Sequence, residues 1–284
     1  MSEPPFRRVA IYGLGLIGGS IALAIKRRWQ SVAVLAIDRP DVVDAALRMK
    51  IADEGGASLR VANGADLVML AAPVLQNVAA IEAIPNDIQG TALLTDAGST
   101  KRAMADAAAR LPERLPFIGG HPLAGAAASG LQAARPDLFD DRPWILTGTE
   151  CAPEPAVDAL SQFITGLRAI PRRMAAAEHD RLLAYVSHLP QLTVSALMHV
   201  VGGCAGPDGL SLAGRGLRDT TRLASSPAHP WRDIVATNGD NIDAALDALI
   251  AALQQLKAAP GGAPPRLDEL FVSAARWKGV LDNN

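Results

Sequence analysis

The sequence of 284 residues predicts a protein of the α/β class, in which a mainly parallel sheet is followed by an all-helical region. Over residues 1–174, short β-branched runs alternate with alanine-rich helical stretches, the pattern of crossover units that feed a parallel sheet. From residue 175 onward, long helical segments replace the strand pattern. We therefore predict two domains, residues 1–174 and 175–284, and the 49% of apolar residues is enough to give them a core.

Seven buried strands are predicted from short runs of branched and apolar side chains. In chain order they are residues 9–12, 32–37, 67–71, 92–95, 117–118, 143–146 and 169–174. A helix is predicted between the last two strands, because apolar residues recur there at helical spacing: Val157, Leu160, Phe163, Ile164 and Leu167. We expect these last two strands to extend the same sheet.

Four helical segments are predicted in the second region, at residues 175–203, 208–224, 231–257 and 265–281. Pro190 falls inside the first segment and is expected to kink or break it, because proline lacks an amide hydrogen and its ring clashes with the preceding turn. The segment 258–265 is rich in proline and glycine, and we predict a loop between helices there.

Composition and charge argue against several classes of protein. Lysine and arginine number 27 against 29 aspartates and glutamates, and this near-balance argues against a nucleic-acid partner. Cys151 and Cys204 form no CxxC motif, so neither a disulfide framework nor a cysteine-based zinc site is expected. Glycines interrupt the uncharged stretch 9–25, and no cleavable apolar segment precedes it, so we expect a cytoplasmic protein without a membrane span.

A glycine-rich motif follows the first predicted strand directly and opens a helix. Gly13 permits a tight turn, Gly15 lets the backbone approach a pyrophosphate, and Gly18 lets the helix pack closely on the strand. Asp38, after the second strand, can accept hydrogen bonds from the adenine ribose and would repel a 2′-phosphate, which favours NAD. Arg39 could pair with such a phosphate, so NADP is the alternative cofactor.

The order of strand, glycine turn, helix and acidic residue is typical of a Rossmann-type dinucleotide-binding region, although glycines can also make a tight turn that binds nothing. Ala72 and Pro73 follow the third predicted strand, where loops meet the cofactor in such sheets, but proline also ends ordinary strands. The residues predicted to bind the cofactor are Gly13, Gly15, Leu16, Ile17, Gly18, Asp38, Arg39, Ala72 and Pro73.

None of the five histidines belongs to an HExxH motif or another compact ligand cluster, so no metal site is expected. His121 lies between glycines in the segment 119–125, at the edge of the predicted sheet where doubly wound folds bind their ligands. Near a nicotinamide, its imidazole could accept a hydroxyl proton as a hydride leaves the same carbon. A structural histidine is the alternative.

Further polar residues are candidates for the same site. Ser99 opens on the same sheet edge, where it could fix the tautomer of His121, donate to a substrate or cap a helix. His188 lies at the proline break and could turn toward the site, but a partly exposed helical histidine is the alternative. Arg222 could bind a substrate carboxylate through a bidentate fork, unless it pairs with Asp219 three residues earlier.

Together these segments resemble the prephenate/arogenate dehydrogenase family of tyrosine biosynthesis. The resemblance runs in order along most of the chain and rests on residues 13–20, Asp96-x-Gly-Ser99-x-Lys101, Gly120-His-Pro-Leu-Ala-Gly125, Ser187-His-Leu-Pro190, Arg218-Asp-Thr-Thr-Arg222 and Trp231-Arg-Asp233. It implies that His121 is the catalytic base, that Ser99 supports it and that His188 lines the site near the nicotinamide. It also implies that Arg222 binds a substrate carboxylate, with Asp219 and Gln191 near the substrate.

The activity that this resemblance implies is oxidative decarboxylation of prephenate or arogenate, with hydride transfer to NAD, giving 4-hydroxyphenylpyruvate or tyrosine. It also implies a homodimer formed through the helical domain. Two departures lie near the substrate side chain: Ala126 and Ala127 replace a Thr-Glu pair of many relatives, and Gln191 replaces a histidine of some. The choice between the two substrates therefore stays open.

Two other functions remain open on the sequence alone. A β-hydroxyacid or imine-type reductase would share a nucleotide-binding domain followed by helices but would use other residues. A catalytically silent dinucleotide-binding sensor would need neither His121 nor Arg222. The intact set of histidine, serine and arginine residues favours the dehydrogenase.

Overall fold

The structure, a computed structural model, describes residues 3–126, 128–257 and 264–283. Its first part is built on an eight-stranded sheet. The strands are β1 (Arg8–Tyr12), β2 (Ala33–Ile37), β3 (Glu54–Gly56), β4 (Leu67–Leu70), β5 (Leu93–Asp96), β6 (Phe117–Pro122), β7 (Pro143–Thr147) and β8 (Ile170–Arg173). Their order across the sheet is β3-β2-β1-β4-β5-β6-β7-β8, and only the pair β6 and β7 is antiparallel.

Helices cover both faces of this sheet. They are α1 (Leu16–Arg28), α2 (Pro40–Arg48), α3 (Val74–Asp87), α4 (Arg102–Ala108) and α5 (Glu154–Gly166). Because successive side chains of a strand point to opposite faces, Val9 and Ile11 of β1 join the apolar core that contains Phe163 of α5, whereas Ala10 joins the core that contains Ile81 of α3. The middle strands are thus buried on both faces, as is usual for parallel sheets.

The strand order places a crevice at the carboxyl end of β1. The chain passes from β1 to β2 and β3 on one side and then crosses over to β4 on the other side of β1. At such a reversal the loops that follow the two neighbouring strands diverge, and ligands of open α/β sheets bind in the gap between them. The sites predicted after β1 and β4 meet at this crevice.

All seven predicted strands are present, and the predicted α/β class is confirmed. The segment predicted at 117–118 is longer, since β6 continues through His121 to Pro122. The sequence analysis missed β3, a three-residue edge strand whose sequence Glu-Gly-Gly carries no branched side chain.

The helical region begins directly after β8. Its elements are α6 (Ala176–Leu183), a π-helical segment (Ala184–His188), α7 (Leu189–Ser211), α8 (Arg215–Thr220), a 3-10 turn (Arg222–Ser225), α9 (His229–Lys257) and α10 (Pro264–Asp282). The backbone departs from helical geometry at Gly206 within α7 and at Asn238 within α9. The helix predicted at 208–224 is therefore wrong in form, because the chain makes three short segments there. The loop predicted at 258–265 falls mostly outside the described residues.

Of the kink or break predicted at Pro190, the break is not made, and the helix is instead disturbed by a π-helical segment. The helix runs on from α6 into α7, and the π-helical segment precedes the proline. In that segment the amide of Leu189 donates to the carbonyl of Ala184, five residues back. The wider turn accommodates a residue that can neither donate to the carbonyl four residues earlier nor pack its ring tightly against it.

The helical region exposes many large apolar side chains to solvent. The most exposed of them are Leu212, Val186, Val272, Leu281 and Phe271, each about two-thirds exposed or more. Large apolar side chains exposed in this number are uncommon on a monomer and indicate an interaction face. Among the described residues, no helix has both the length and the apolar character needed to cross a bilayer.

Candidate active site

A cleft of about 970 Å³ opens over the glycine turn between β1 and α1. Gly13 has φ of +91°, and a Cβ there would lie 2.5 Å from the amide nitrogen of Ala72. A Cβ at Gly18 would lie 1.9 Å from the carbonyl oxygen of Gly13, so the helix could not pack on the strand. A Cβ at Gly15 would meet nothing within 4 Å, because this residue faces the open cleft. The three glycines thus have the three different roles that a dinucleotide cradle requires.

Asp38 and Arg39 lie on the wall of the same cleft, after β2. The half-buried carboxylate of Asp38 accepts hydrogen bonds from the amides of Leu14 (2.7 Å) and Arg39 (2.7 Å), which ties it to the glycine turn. The exposed guanidinium of Arg39 lies 3.5 Å from Asp41. An acidic group held at the end of β2 fits the ribose of an adenine nucleotide.

A second cleft of about 410 Å³ continues from the first. Both clefts are lined by Gly15, Ala72, Pro73 and His229, so the two clefts meet at these residues and form one groove. Leu16 and Ile17 line the second cleft only. The loop that carries Ala72, where the two clefts meet, is held in place by the fully buried Asn77. The side chain of Asn77 accepts a hydrogen bond from the amide of Ala72 (3.1 Å) and donates to its carbonyl (2.9 Å).

Ser99 lines the second cleft, at the end away from Asp38. It follows β5, and His121 lies on the neighbouring strand β6, so both residues end at the same edge of the sheet. The structure does not use Ser99 as a helix cap, since Lys101 is the residue that precedes α4. Among the described residues no hydrogen bond joins Ser99 to His121, whose Nδ1 has another partner.

That partner is His179. Nδ1 of the half-buried His121 lies 2.8 Å from Nε2 of His179, whose Nδ1 lies 2.8 Å from Oδ1 of Asp180. Both His179 and Asp180 are completely buried at the start of the helical region. The sequence analysis missed these two residues. The only local signal is a histidine and an aspartate adjacent in the first helix after the sheet.

Asp180 also joins the helical region to the sheet. Its carboxylate accepts the backbone amides of Lys101 (2.7 Å) and Arg102 (2.9 Å) at the start of α4. Burial acts to raise the pKa of Asp180, but the hydrogen bonds from His179 and from these two amides outweigh burial and lower it. The carboxylate is therefore ionised at neutral pH.

A buried ion pair lies beneath the site. Lys101 and Asp96 are both fully buried, and the ammonium of Lys101 donates to Oδ2 of Asp96. Asp96 also accepts the amides of Gly98 (2.8 Å) and Gly120 (2.9 Å), so it braces the loop that carries Ser99 and the strand that carries His121. Burial lowers the pKa of Lys101, and the charge of Asp96 opposes that effect.

His188 is buried, with 1% of its surface exposed, which excludes the partly exposed alternative. Its Nδ1 lies 3.3 Å from Nδ2 of Asn238, and its ring meets Trp231 edge to face at 6.0 Å. Asn238 donates to the backbone carbonyl of Asp180 (2.8 Å), so the kink in α9 holds both histidine-bearing segments together. Burial lowers the pKa of His188 to about 4.

The three residues predicted to bind the substrate, Arg222, Asp219 and Gln191, differ in their exposure and contacts. Arg222 and Asp219 are both exposed, and among the described residues Arg222 forms no ion pair, with Asp219 or otherwise. Gln191 is buried and makes internal hydrogen bonds, to the carbonyl of Leu223 (2.9 Å) and with the hydroxyl of Ser226 (3.1 Å). Its amide anchors the 3-10 turn that carries Arg222, and its predicted place near the substrate stays a prediction.

The histidines and acidic residues of the described chain form no cluster that could hold a metal ion. A groove with a glycine cradle and a carboxylate at the end of β2, on a sheet whose neighbouring strand ends carry Ser99 and His121, is typical of the nicotinamide-dinucleotide-dependent dehydrogenases. Within this class, residues 21–170 match the family model described as the nucleotide-binding domain of prephenate dehydrogenase. Residues 175–261 match the model of the dimerization domain of prephenate dehydrogenase. The chain belongs to the prephenate dehydrogenase family.

Curated relatives agree with this assignment. Prephenate dehydrogenase of Bacillus subtilis is 36% identical over 255 residues, which cover 88% of this chain and 69% of the relative. Cyclohexadienyl dehydrogenase of Zymomonas mobilis is 31% identical and is covered to 88%, with 89% of this chain included. The sequence resemblance is thus confirmed, and the chain is an NAD-dependent oxidoreductase whose family catalyses oxidative decarboxylation in tyrosine biosynthesis.

Solved structures give the same result. Prephenate dehydrogenase of Aquifex aeolicus, in complex with hydroxyphenyl propionate and NAD⁺, superposes with a TM-score of 0.88 at 27% identity and covers 99% of both chains. Arogenate dehydrogenase of Synechocystis gives a TM-score of 0.81 at 28% identity, covering 97% of this chain and 99% of that one. A 3-hydroxyisobutyrate dehydrogenase of Salmonella typhimurium shares the fold alone, at 15% identity and a TM-score of 0.58. The hydroxyacid reductase alternative therefore has no support beyond the fold.

Proposed function

We propose that this protein oxidatively decarboxylates prephenate, arogenate or both, with His121 as the base that accepts the proton of the ring hydroxyl. The observation that carries this assignment is the position of His121 at the end of β6, on the sheet edge that also carries Ser99. Desolvation lowers its pKa well below the usual value, and the neighbouring His179, Lys101 and His188 lower it further. An unprotonated imidazole at the sheet edge that carries Ser99 is suited to remove a hydroxyl proton at neutral pH.

The chemistry is balanced with this one base. NAD bound in the groove supplies the acceptor for the hydride that leaves the ring carbon bearing the hydroxyl. His121 takes the hydroxyl proton, so that a ring ketone forms and accepts the electron pair released when the bond to the ring carboxylate breaks and CO₂ departs. The product is a phenolate, to which His121 can return its proton. Aromatisation drives the reaction, so the protein mainly positions, desolvates and deprotonates.

We assign the other candidate residues to positions around His121 in the site. Ser99 lines the cleft and offers a hydroxyl to the reacting end of the substrate. The buried neutral His188 closes the apolar side of the site next to Trp231. We assign Arg222 to a substrate carboxylate, because its guanidinium has no ion-pair partner among the described residues and Gln191 anchors its turn.

We also propose the organisation of the whole protein: a nucleotide-binding domain at 1–174, a helical domain at 175–284, and a cytoplasmic homodimer formed through the exposed apolar face of the helical domain. The match of residues 175–261 to a dimerization domain supports the dimer. Light scattering should give about twice the chain mass of 29.6 kDa. A mass of one chain at micromolar concentration would refute the dimer.

The function is tested by following the absorbance of reduced nicotinamide with purified protein. Four pairings are compared: prephenate or arogenate, each with NAD or NADP. We expect signal from at least one substrate with NAD, and its loss in the matched variant His121→Asn. Silence in all four pairings, from protein that still binds NAD, would overturn the proposed function.

A further inference from the structure

We propose that His179 and Asp180 are positioning residues that hold His121 with its proton on Nδ1, so that Nε2 is the nitrogen that accepts the substrate proton. The proposal rests on the proposed function of His121 as the base. It concerns a property of the imidazole, the tautomer, that can be measured without turnover. It also gives a task to two completely buried polar residues that the reaction itself does not use.

The direction of each hydrogen bond follows from Asp180. An ionised carboxylate can only accept, and Asp180 already accepts the amides of Lys101 and Arg102. The 2.8 Å contact with His179 therefore requires a proton on Nδ1 of His179. A neutral imidazole carries one proton, so Nε2 of His179 is an acceptor. The 2.8 Å contact between the two rings then requires a proton on Nδ1 of His121.

One other arrangement satisfies the same distances. If His179 were a cation, its Nε2 would donate to Nδ1 of His121 and the proton of His121 would move to Nε2. The charged or titratable side chains around the pair are Lys101, Arg102, Asp96, Asp240 and His188. Asp96 and Asp240 are bound to Lys101 and Arg102, so neither stabilises a further cation. Asp180 is the one adjacent carboxylate, and two amide hydrogen bonds already weaken its basicity. The surroundings thus offer the pair no further counter-charge, and we adopt the arrangement with the proton on Nδ1 of His121.

The consequence for catalysis is geometric. The backbone of His121 is fixed by β6, where it pairs with Ile145 of β7. With Nδ1 held by His179, the ring can rotate little and its lone pair on Nε2 points away from the buried pair. The hydrogen bond made by one ring nitrogen sets the tautomer of the other, as for histidines oriented by a carboxylate in hydrolases. Here a second imidazole stands between the base and the carboxylate.

The direct test is nitrogen-15 NMR of protein labelled at histidine, in the NAD-bound state at pH 7.5. The chain has five histidines, and the signals of His121 are assigned by their absence in His121→Asn. We expect His121 to show a protonated Nδ1 and an unprotonated Nε2. A proton on Nε2 of His121 would overturn the proposal, even if the enzyme is fully active, so this failure is distinct from failure of the proposed function.

Kinetics with matched variants provide the second test. In His179→Ala, His121 loses its acceptor, and we expect kcat to fall about 10²-fold while the dissociation constant of NAD is unchanged. His179→Gln retains a carbonyl oxygen that can accept from Nδ1 and should recover part of the loss. The exposed His199 is the control, and His199→Gln should leave the His121 tautomer unchanged. A folded His179→Ala variant with wild-type kcat would contradict the proposal. If that variant fails to fold, the NMR measurement of the His121 tautomer in the wild-type protein still tests the proposal.

Discussion

At the scale of single residues, the surroundings of His121 oppose its protonation, as the role of base that we propose requires. Desolvation lowers the pKa of His121, and the neighbouring His179, Lys101 and His188 lower it further. The sequence could predict His121 because a histidine between glycines at a strand end is a local pattern. It could not predict the contact with His179, which lies 58 positions away and arrives through the packing of two regions.

The lowered pKa of His121 determines the pH dependence of activity. A base must be unprotonated, and a pKa below the ordinary 6.5 keeps His121 unprotonated from neutral pH down into mildly acidic solution. We expect kcat/KM to be level near pH 7 and to fall on an acid limb whose midpoint is below 6.5. The measurement is kcat/KM between pH 4.5 and 8. A midpoint above the ordinary histidine value would show that the site does not suppress protonation.

Substitution of Arg222 should act on substrate binding. Its exposed guanidinium can grip a carboxylate by two parallel hydrogen bonds, and a hydrogen bond to a charged group contributes about 1.5–3 kcal/mol. For Arg222→Lys we therefore expect a substrate KM raised by roughly 10- to 100-fold, with little change in the KM for NAD. The control is Arg218→Lys, which changes an exposed arginine of the neighbouring helix α8. Equal effects of the two variants would place Arg222 outside the substrate site.

At the scale of elements, the glycine turn shows how one motif serves both folding and binding. A Cβ at Gly18 would clash with the backbone of Gly13, whereas a Cβ at Gly15 would enter the open groove. The sequence pattern predicts all three positions, since each requirement is local to a strand, a turn and a helix. The π-helical segment before Pro190 was not predictable in the same way, because proline signals a disturbed helix but not which form the disturbance takes.

The two glycines form a matched experiment. Gly15→Ala should leave thermal stability close to wild type, since its Cβ meets nothing within 4 Å, yet it should raise the KM for NAD at least tenfold by blocking the pyrophosphate. Gly18→Ala should instead destabilise the fold by about 1–3 kcal/mol or more, since its Cβ would lie 1.9 Å from a carbonyl oxygen. The measurements are thermal unfolding and NAD titration. Loss of stability in Gly15→Ala without loss of NAD binding would reverse the assignment.

At the scale of the whole molecule, the strand order and the helical layers follow from patterns spread along the chain, and the sequence predicts them well. The catalytic contacts do not follow, because they join β6, α4, α6 and α9 from four distant parts of the sequence. Asn238 is an example: its departure from helical geometry places it against both His188 and Asp180, and no local pattern marks it.

Acid should destabilise the molecule through the buried His188. In the unfolded chain His188 binds a proton near pH 6.5, but in the fold its pKa is about 4. This pKa shift contributes on the order of 3 kcal/mol to the free energy of unfolding. The contribution is fully present above pH 6.5 and is lost as the pH falls toward 4. Denaturant unfolding at a series of pH values should show this slope, with a smaller one in His188→Gln. The exposed His199 is again the control, and an identical slope in both variants would contradict the assignment.

The position of Asp180 also bears on how such enzymes diverge. One carboxylate holds the first turn of α4 in the nucleotide-binding region and, through His179, the imidazole of His121 on β6. A recombination that exchanged the helical region between distant relatives would thus replace the anchor of His121 together with the exposed apolar side chains. The two regions are separate in sequence, but selection must act on them as a single inherited unit.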